Sequence, residues 1–327
     1  MSANLVWYVT RRLCWAVLAA VVILTVTFGL LAASPNPQAS AAAIQAAQEG
    51  SDPAQAQERI EEIRGEDRPV TEQYIDFIVS TVTLDWGDSY VYGEAVTTVI
   101  ADAWVYSALV VVPSTVLAVG VGFAIGVYSA THQYTKADYA ATAVAFFGIS
   151  VPNFWLAIVL VLVFGVTLEW LPVTYDTQAP FWSLEHAKSL VMPVFVLTTA
   201  AIASQMRYAR AETLEYVDAT WTKTARAKGV SEWRVTLRHV FRPATVPLST
   251  ILVADLVGIV FATAYVVEVI FQIPGLGLVS YNAILRGDTP LVLATTLIPV
   301  VLTIVANLLQ DVAYTVLDPR ISYEGDR

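Results

Sequence analysis

Charged residues are missing from long stretches of this chain, and those stretches set its architecture. A membrane-spanning helix needs about 20 mostly apolar residues. Leu13–Ala33 and Ala103–Tyr128 carry no charge at all. Tyr139–Leu168 lies between Asp138 and Glu169, and Ser189–Met206 between Lys188 and Arg207. Pro243–Phe271 is apolar apart from Asp255 and Glu268, and Thr289–Gln310 continues past Asp311 to Leu317. The pattern predicts an all-α integral membrane protein with six transmembrane helices. A cleavable secretory signal has a shorter apolar core of about 7–15 residues. The first run, with Arg11 and Arg12 before it and five more runs behind it, therefore reads as an uncleaved helix.

The intervals divide the chain into an N-terminal segment and first helix (1–33), a large loop (34–102), a transmembrane core (103–317) containing a polar loop (207–242), and a tail (318–327). Lysine and arginine favour the cytoplasmic side of a membrane. An N-terminus inside places Arg11, Arg12, Lys136, the eight basic residues of 207–242, Arg320 and Arg327 in the cytoplasm. Only Arg59, Arg64, Arg68, Lys188 and Arg286 then lie outside. Both termini are expected inside, with the 34–102 loop extracytoplasmic and the 207–242 loop cytoplasmic.

Composition agrees with this and adds a complication. Apolar residues make up 56 % of the chain and charged ones 14 %, against about 25 % charged in a soluble domain. Mean hydropathy is +0.60, yet the net charge is −10. The 34–102 loop holds thirteen acidic and three basic residues, so it alone accounts for that net charge. Its first part is rich in Ala and Gln and low in complexity, a helical or floppy insert. After Pro69, the spacing of Tyr74, Ile75, Phe77, Ile78 and Trp86 predicts an amphipathic element on the membrane or on neighbouring helices. Two readings of the loop stay open, a solvated acidic surface and a docking surface for an external partner.

Several chemistries are excluded. One cysteine, Cys14, rules out a disulfide framework and a Cys-based zinc site. Without a net basic surface, nucleic acid is not an expected partner. There is no G-x-x-x-x-G-K-[ST] stretch to cradle ATP phosphates, and neither H-E-x-x-H nor G-x-S-x-G occurs. No catalytic, cofactor-binding or metal-ligating residue is predicted, and the chain is not expected to be an enzyme.

The 207–242 loop, with eight basic and four acidic residues, is more informative. Asp218 is a plausible N-cap, Lys228 a favourable last-turn charge and Gly229 a natural stop. They bracket a helix of about ten residues, roughly 15 Å long. A second helix is expected from Ser231 to about Arg242, with Pro243 marking the turn into the fifth span. A helix this short is not stable alone, so it needs a partner surface. The other reading is a basic juxtamembrane loop on anionic lipid.

The motifs here resemble a known family. Ala225–Gly229 (ARAKG), then Ser231 and His239–Pro243 (HVFRP), are similar to the EAA-type loop of ABC importer permeases, in the dipeptide, oligopeptide and nickel branch. Further similar text is VVEVIFQIPGLGLVSYNAILRGDTP at 266–290, NLLQDVAYTVLDPR at 307–320, GISVPNFWLAIVLVLVF at 148–164 and LDWGDSYVYGEAV at 84–96. The Glu-Ala-Ala naming the loop is Lys223-Thr224-Ala225 here, and the 36–57 insert has no counterpart. The resemblance implies half of an importer pore. Its partners would be a second homologous permease, two ATPase subunits carrying ATP and Mg, an extracytoplasmic substrate-binding protein, and membrane lipid. It assigns ATPase coupling to the 218–233 loop through Asp218, Ala219, Thr220, Lys223, Thr224, Ala225, Arg226, Ala227, Lys228, Gly229 and Ser231. The implied substrate is a di- or oligopeptide; nickel and oligosaccharides are the branch's other cargoes.

Carboxylates inside a membrane are costly and face a bundle interior or a watery cavity. Asp255 is the candidate for the translocation path, with a structural interhelical hydrogen bond as the equal alternative. Glu268 and Asp311 suit structural roles. A different class of protein, an ion-coupled secondary transporter, would use all three as a relay. Pro113, Pro152, Pro193 and Pro299 are expected to kink their helices.

Overall fold

The computed structural model describes residues 3–33, 37–64, 67–245, 248 and 264–317. Among these the chain is helical, and its only strand-like feature is an isolated bridge between Asp88 and Ala95. Two compact units form, one from the residues up to Ala101 together with Ser280–Leu308, the other from Asp102–Val279 and the stretch from Leu309.

In the first unit, α1 (Ala3–Ala32) is the first expected span. The Ala/Gln-rich insert forms regular helix: α2 (Pro37–Gln48) and α3 (Pro53–Arg64) pack as a hairpin. Ala39 and Ala46, seven residues apart, are buried, since small side chains on one stripe let two helices approach. Asp52 opens α3 by accepting the Ala54 N–H at 2.9 Å. The amphipathic stretch after Pro69 is α4 (Val70–Thr83), and it lies on α1. There Tyr74 Oη meets Thr25 Oγ1 at 2.8 Å, and the Phe28 ring packs on Tyr74 and Phe77. Asp288, fully buried, fastens the 85–95 turn by accepting from Ser89 Oγ (2.5 Å) and Val91 N (3.0 Å). Its other oxygen accepts from Leu291 N at 3.3 Å, which N-caps the last helix.

In the second unit the long helices are α5 (Val96–Thr131, which begins in the first unit) and α8 (Leu184–Val217). Val110, Val111, Met192, Val196, Leu197, Val267 and Phe271 form its core. Lower down, Gly122 and Gly126 let α5 approach α8 closely: a Cβ at Gly126 would sit 2.6 Å from the Met206 carbonyl. Ser114 and Thr198 tie the same helices, donating to the Val194 and Ser114 carbonyls at 3.3 and 3.4 Å.

The third expected span is not straight. It divides into α6 (Lys136–Ser150) and α7 (Asn153–Leu160, continued in wider π-helical turns over Val161–Thr167), bent by 96°. Pro152 offers no N–H and pushes its predecessor out of the helical region, and Val151 is extended at φ −88°, ψ 119°. Pro113, Pro193 and Pro299 instead lie inside continuous helices. Ser183 caps α8 by accepting the His186 N–H at 3.1 Å, so α8 begins before Ser189 and ends well beyond Met206.

After α8 come α9 (Thr220–Ala227) and α10 (Glu232–Arg234, continuing in π-helical turns over Val235–Phe241). Most of the fifth expected span lies outside the described residues; its end is α11 (Ala264–Phe271), followed by α12 (Leu276–Arg286) and α13 (Thr289–Leu317). Among the described residues α1, α5 and α8 are long and apolar enough to cross a membrane, and α6 with α7 and α11 with α12 are broken apolar pairs.

Candidate functional site

The site is built where α8 leaves the apolar interval. Past Arg207 this helix runs on to Val217, so a rigid rod carries the polar loop. Asp218 ends α8 as its C-cap and does not cap α9; that position falls to Ala219, which makes no side-chain cap. The expected N-cap is thus displaced by one residue, because the extended α8 takes Asp218 for itself. The Asp218 carboxylate instead lies 3.7 Å from Lys223 Nζ, an exposed pair of little energetic weight.

The other end of α9 follows the sequence. Lys228 is its C-cap and Gly229 adopts φ +76°, a left-handed conformation that strains any residue with a Cβ. Gly229 N donates to Arg226 O (2.9 Å) and Val230 N to Ala225 O (3.2 Å). This crossed pair is a Schellman motif, with Val230 packed beside Ala225 to seal it.

Two faces result. Thr222 and Ala225, three residues apart, are buried with Val235 and Val240 of the following helix. Thr220, Lys223, Thr224, Ala227, Lys228, Gly229 and Ser231 point outward with Asp218, and Ala219 is half-buried. Arg226 belongs to neither face: its Nη1 donates to Val217 O at 3.1 Å and its Nε meets the Glu232 carboxylate at 3.2 Å. One guanidinium therefore joins the end of α8, α9 and the start of α10.

A second joint arises from Pro243. A proline leaves the carbonyl four residues earlier without its helical donor, here that of His239. Helix continues through Pro243 to 245, after the wide turns of Val235–Phe241, so no turn forms there. The His239 carbonyl accepts instead from Trp221 Nε1 (3.1 Å) and Thr222 Oγ1 (3.4 Å) of α9. The single Thr222 hydroxyl hydrogen is shared with Tyr216 O, at 2.8 Å the closer of its two acceptors. Burial, then Glu215 and Glu212, pushes the Tyr216 hydroxyl above its ordinary pKa, and burial followed by Glu215 does the same to the Glu212 carboxyl.

Sequence reasoning missed Trp221, Thr222, Glu232 and His239 as working parts. The signal was present in the spacing of Thr222 and Ala225 and in a proline four residues after His239.

The intramembrane carboxylates separate. Asp255 and the side chain of Asp311 lie outside the described residues. Glu268 is buried, accepting from Ser107 Oγ (2.7 Å) and Gly277 N (2.6 Å), while Ser107 Oγ accepts from Leu276 N at 2.9 Å. It fastens the turn into α12, whose glycines are obligatory: a Cβ at Gly275 would lie 2.5 Å from Glu268 Oε2. Among the described residues no group of His, Cys, Asp and Glu is placed to hold a metal ion.

Residues 122–323, which contain this loop, match the family described as binding-protein-dependent transport system inner membrane component. The chain belongs to that family. The permease is 36 % identical over 259 residues to the oligopeptide transport system permease protein AppB of Bacillus subtilis, covering 77 % of this chain and 80 % of that protein. It is 31 % identical over 317 residues to the oligopeptide transport system permease protein OppB of Haemophilus influenzae, covering 97 % and 99 %. A putative peptide transport system permease of Brucella suis is 32 % identical over 318 residues, with the same coverage. These findings bear out the resemblance to ABC importer permeases and make the permease a multi-pass protein of the cytoplasmic membrane.

Proposed function

We propose that the permease is one of two membrane subunits of an ATP-driven importer, passing a di- or oligopeptide handed over by an external binding protein. α9 and its flanks, facing the cytoplasm, dock on a partner ATPase; ATP and Mg belong to that partner. Relatives named for oligopeptide and peptide transport support the cargo.

The observation that carries the reading is the double joint of α9. It presents an outward polar face while fixed to α8 at Tyr216 and Val217 and to α10 at His239. A displacement of α9 by a closing ATPase pair is thereby passed to both helices, which move as rigid rods. The test is Gly229→Val and Ala225→Leu. The first strains a left-handed position and the second overfills a buried one, so both should abolish ATP-coupled uptake while the chain still inserts in the membrane. Normal uptake by both variants sinks the reading. Peptide uptake that persists after ATP depletion with the ion gradient intact would establish the ion-coupled alternative instead.

A further inference from the structure

The turn between α5 and α6 is built around one carboxylate. Asp138, 3 % exposed, lies in the first turn of α6 and accepts from Ser129 Oγ near the end of α5. It also accepts from Tyr134 N at 3.0 Å, and Tyr134 holds φ +61°, a conformation uncommon for a bulky residue. The Asp138 N–H goes to Thr135 Oγ1 at 3.2 Å, the N-cap of α6. The last partner comes from another element: Arg210 Nη2 of α8 donates to Asp138 Oδ2 at 3.1 Å. Arg210 Nε is buried without a partner, so among the described residues Asp138 is the only acceptor this guanidinium has.

Further along, α6 meets α8 through small apolar side chains, with Ala141 and Ala145 packed on Ala203 and Met206. Apolar contact of this kind holds two helices together but is non-directional. An ion pair with hydrogen bonds fixes their register, and removing one partner leaves the other charge uncompensated. Arg210 also stands at a close approach of α5, since a Cβ at Gly126 would lie 3.0 Å from its backbone nitrogen. The three helices thus converge seven residues before α8 ends at Val217, roughly 10 Å along its axis. From there α8 is joined to α9 through Tyr216 and Val217. At its far end α6 stops at the extended Val151, and α7 beyond it packs in the core with α11. A swing of α6 is absorbed at that break without dragging α7 along.

We propose that Asp138 and Arg210 are positioning residues of the transport cycle: their ion pair makes α6 follow α8 when α9 is displaced. The inference rests on the docking of an ATPase at α9 and extends that drive to a third helix. Without the pair α8 still moves with α9, but α6 slips along its alanine contacts and hydrolysis is no longer matched by import.

The test uses the assembled importer with its binding protein in liposomes and measures ATP hydrolysed per peptide imported. Arg210→Gln and Asp138→Asn each remove one charge and keep hydrogen-bonding atoms. Both should raise that ratio about fivefold, the low end of coupling between sites, with hydrolysis itself within about twofold of the wild type. Arg210→Lys, which keeps the charge, should return the ratio toward the wild-type value. Spin labels at Ala137→Cys and Ala211→Cys, both exposed, in a Cys14→Ser background report the α6–α8 separation directly. That separation should stay a single narrow distance with and without ATP in the wild type and broaden on ATP addition in Arg210→Gln. A purely structural pair would lower melting temperature and assembly but leave ratio and distance unchanged, and that result overturns the inference. A Lys variant no better coupled than the Gln variant overturns it too. Import by the wild type without ATP would sink the docking reading and this inference together, whereas an ATP-coupled wild type with unaltered variants sinks this inference alone.

Discussion

Thr222 shows how much one hydroxyl does in this loop. It is fully buried, and its one hydroxyl hydrogen is shared between two carbonyls, Tyr216 at 2.8 Å and His239 at 3.4 Å. The Tyr216 carbonyl keeps another donor in Ala219 N at 3.3 Å, and the His239 carbonyl receives Trp221 Nε1 at 3.1 Å beside Thr222. Thr222→Val and Trp221→Phe should each cost about 1 kcal/mol of stability, the ordinary worth of one hydrogen bond. The double variant should lose more than the sum, because the two side chains share the His239 carbonyl as acceptor and only together remove both of these donors. Thermal unfolding of the four proteins in detergent measures this, and strict additivity would mean that the carbonyl is not their shared acceptor. The same few residues mark what local chemistry makes legible. Gly229 and Lys228 are readable from sequence because a Schellman cap is a property of six consecutive residues. Asp218 is not, because capping α9 and ending α8 compete for it, and the choice depends on how far α8 runs.

Helices were legible where a charge-free interval could only be a span, as with α1, α5 and α8. What each helix packs against was not, since periodicity alone does not distinguish a face turned to lipid from one turned to a neighbour. The glycines of α5 illustrate this: Gly120, Gly122 and Gly126 look alike in sequence, yet a Cβ at Gly120 meets nothing within 4 Å and one at Gly126 meets the Met206 carbonyl at 2.6 Å. Gly120→Ala should therefore be neutral or gain up to about 1 kcal/mol from helix propensity. Gly126→Ala should lose about 1–3 kcal/mol, since a backbone cannot step aside as a side chain can. Comparing the melting temperatures of the two variants decides it; equal behaviour would show that α5 and α8 do not approach there. The bend at Val151–Pro152 follows similar logic. Of Pro113, Pro152, Pro193 and Pro299, the four expected to kink their helices, only Pro152 coincides with a break, so proline alone marks where a helix can bend and packing decides where it does.

The charge of the chain is divided between its two polar loops: a net of −10 in the 34–102 loop and +4 in the 207–242 loop. Insertion favours basic loops inside, so the acidic α2–α3 hairpin and the basic α9 loop should lie on opposite sides of the membrane. The chain supplies its own means of testing this, because Cys14 is its only cysteine. In a Cys14→Ser background, Ser51→Cys places a thiol in the exposed turn between α2 and α3, and Ser231→Cys places one beside the exposed face of α9. A membrane-impermeant maleimide should label position 51 in intact cells and position 231 only after the membrane is opened. The opposite result would put α9 outside, beyond the reach of any ATPase that draws on cytoplasmic ATP. Both joints of α9 would then remain sound as structure but have no motor to serve. The labelling pattern therefore tests the orientation and the proposed drive together, using two positions that the joints themselves do not need.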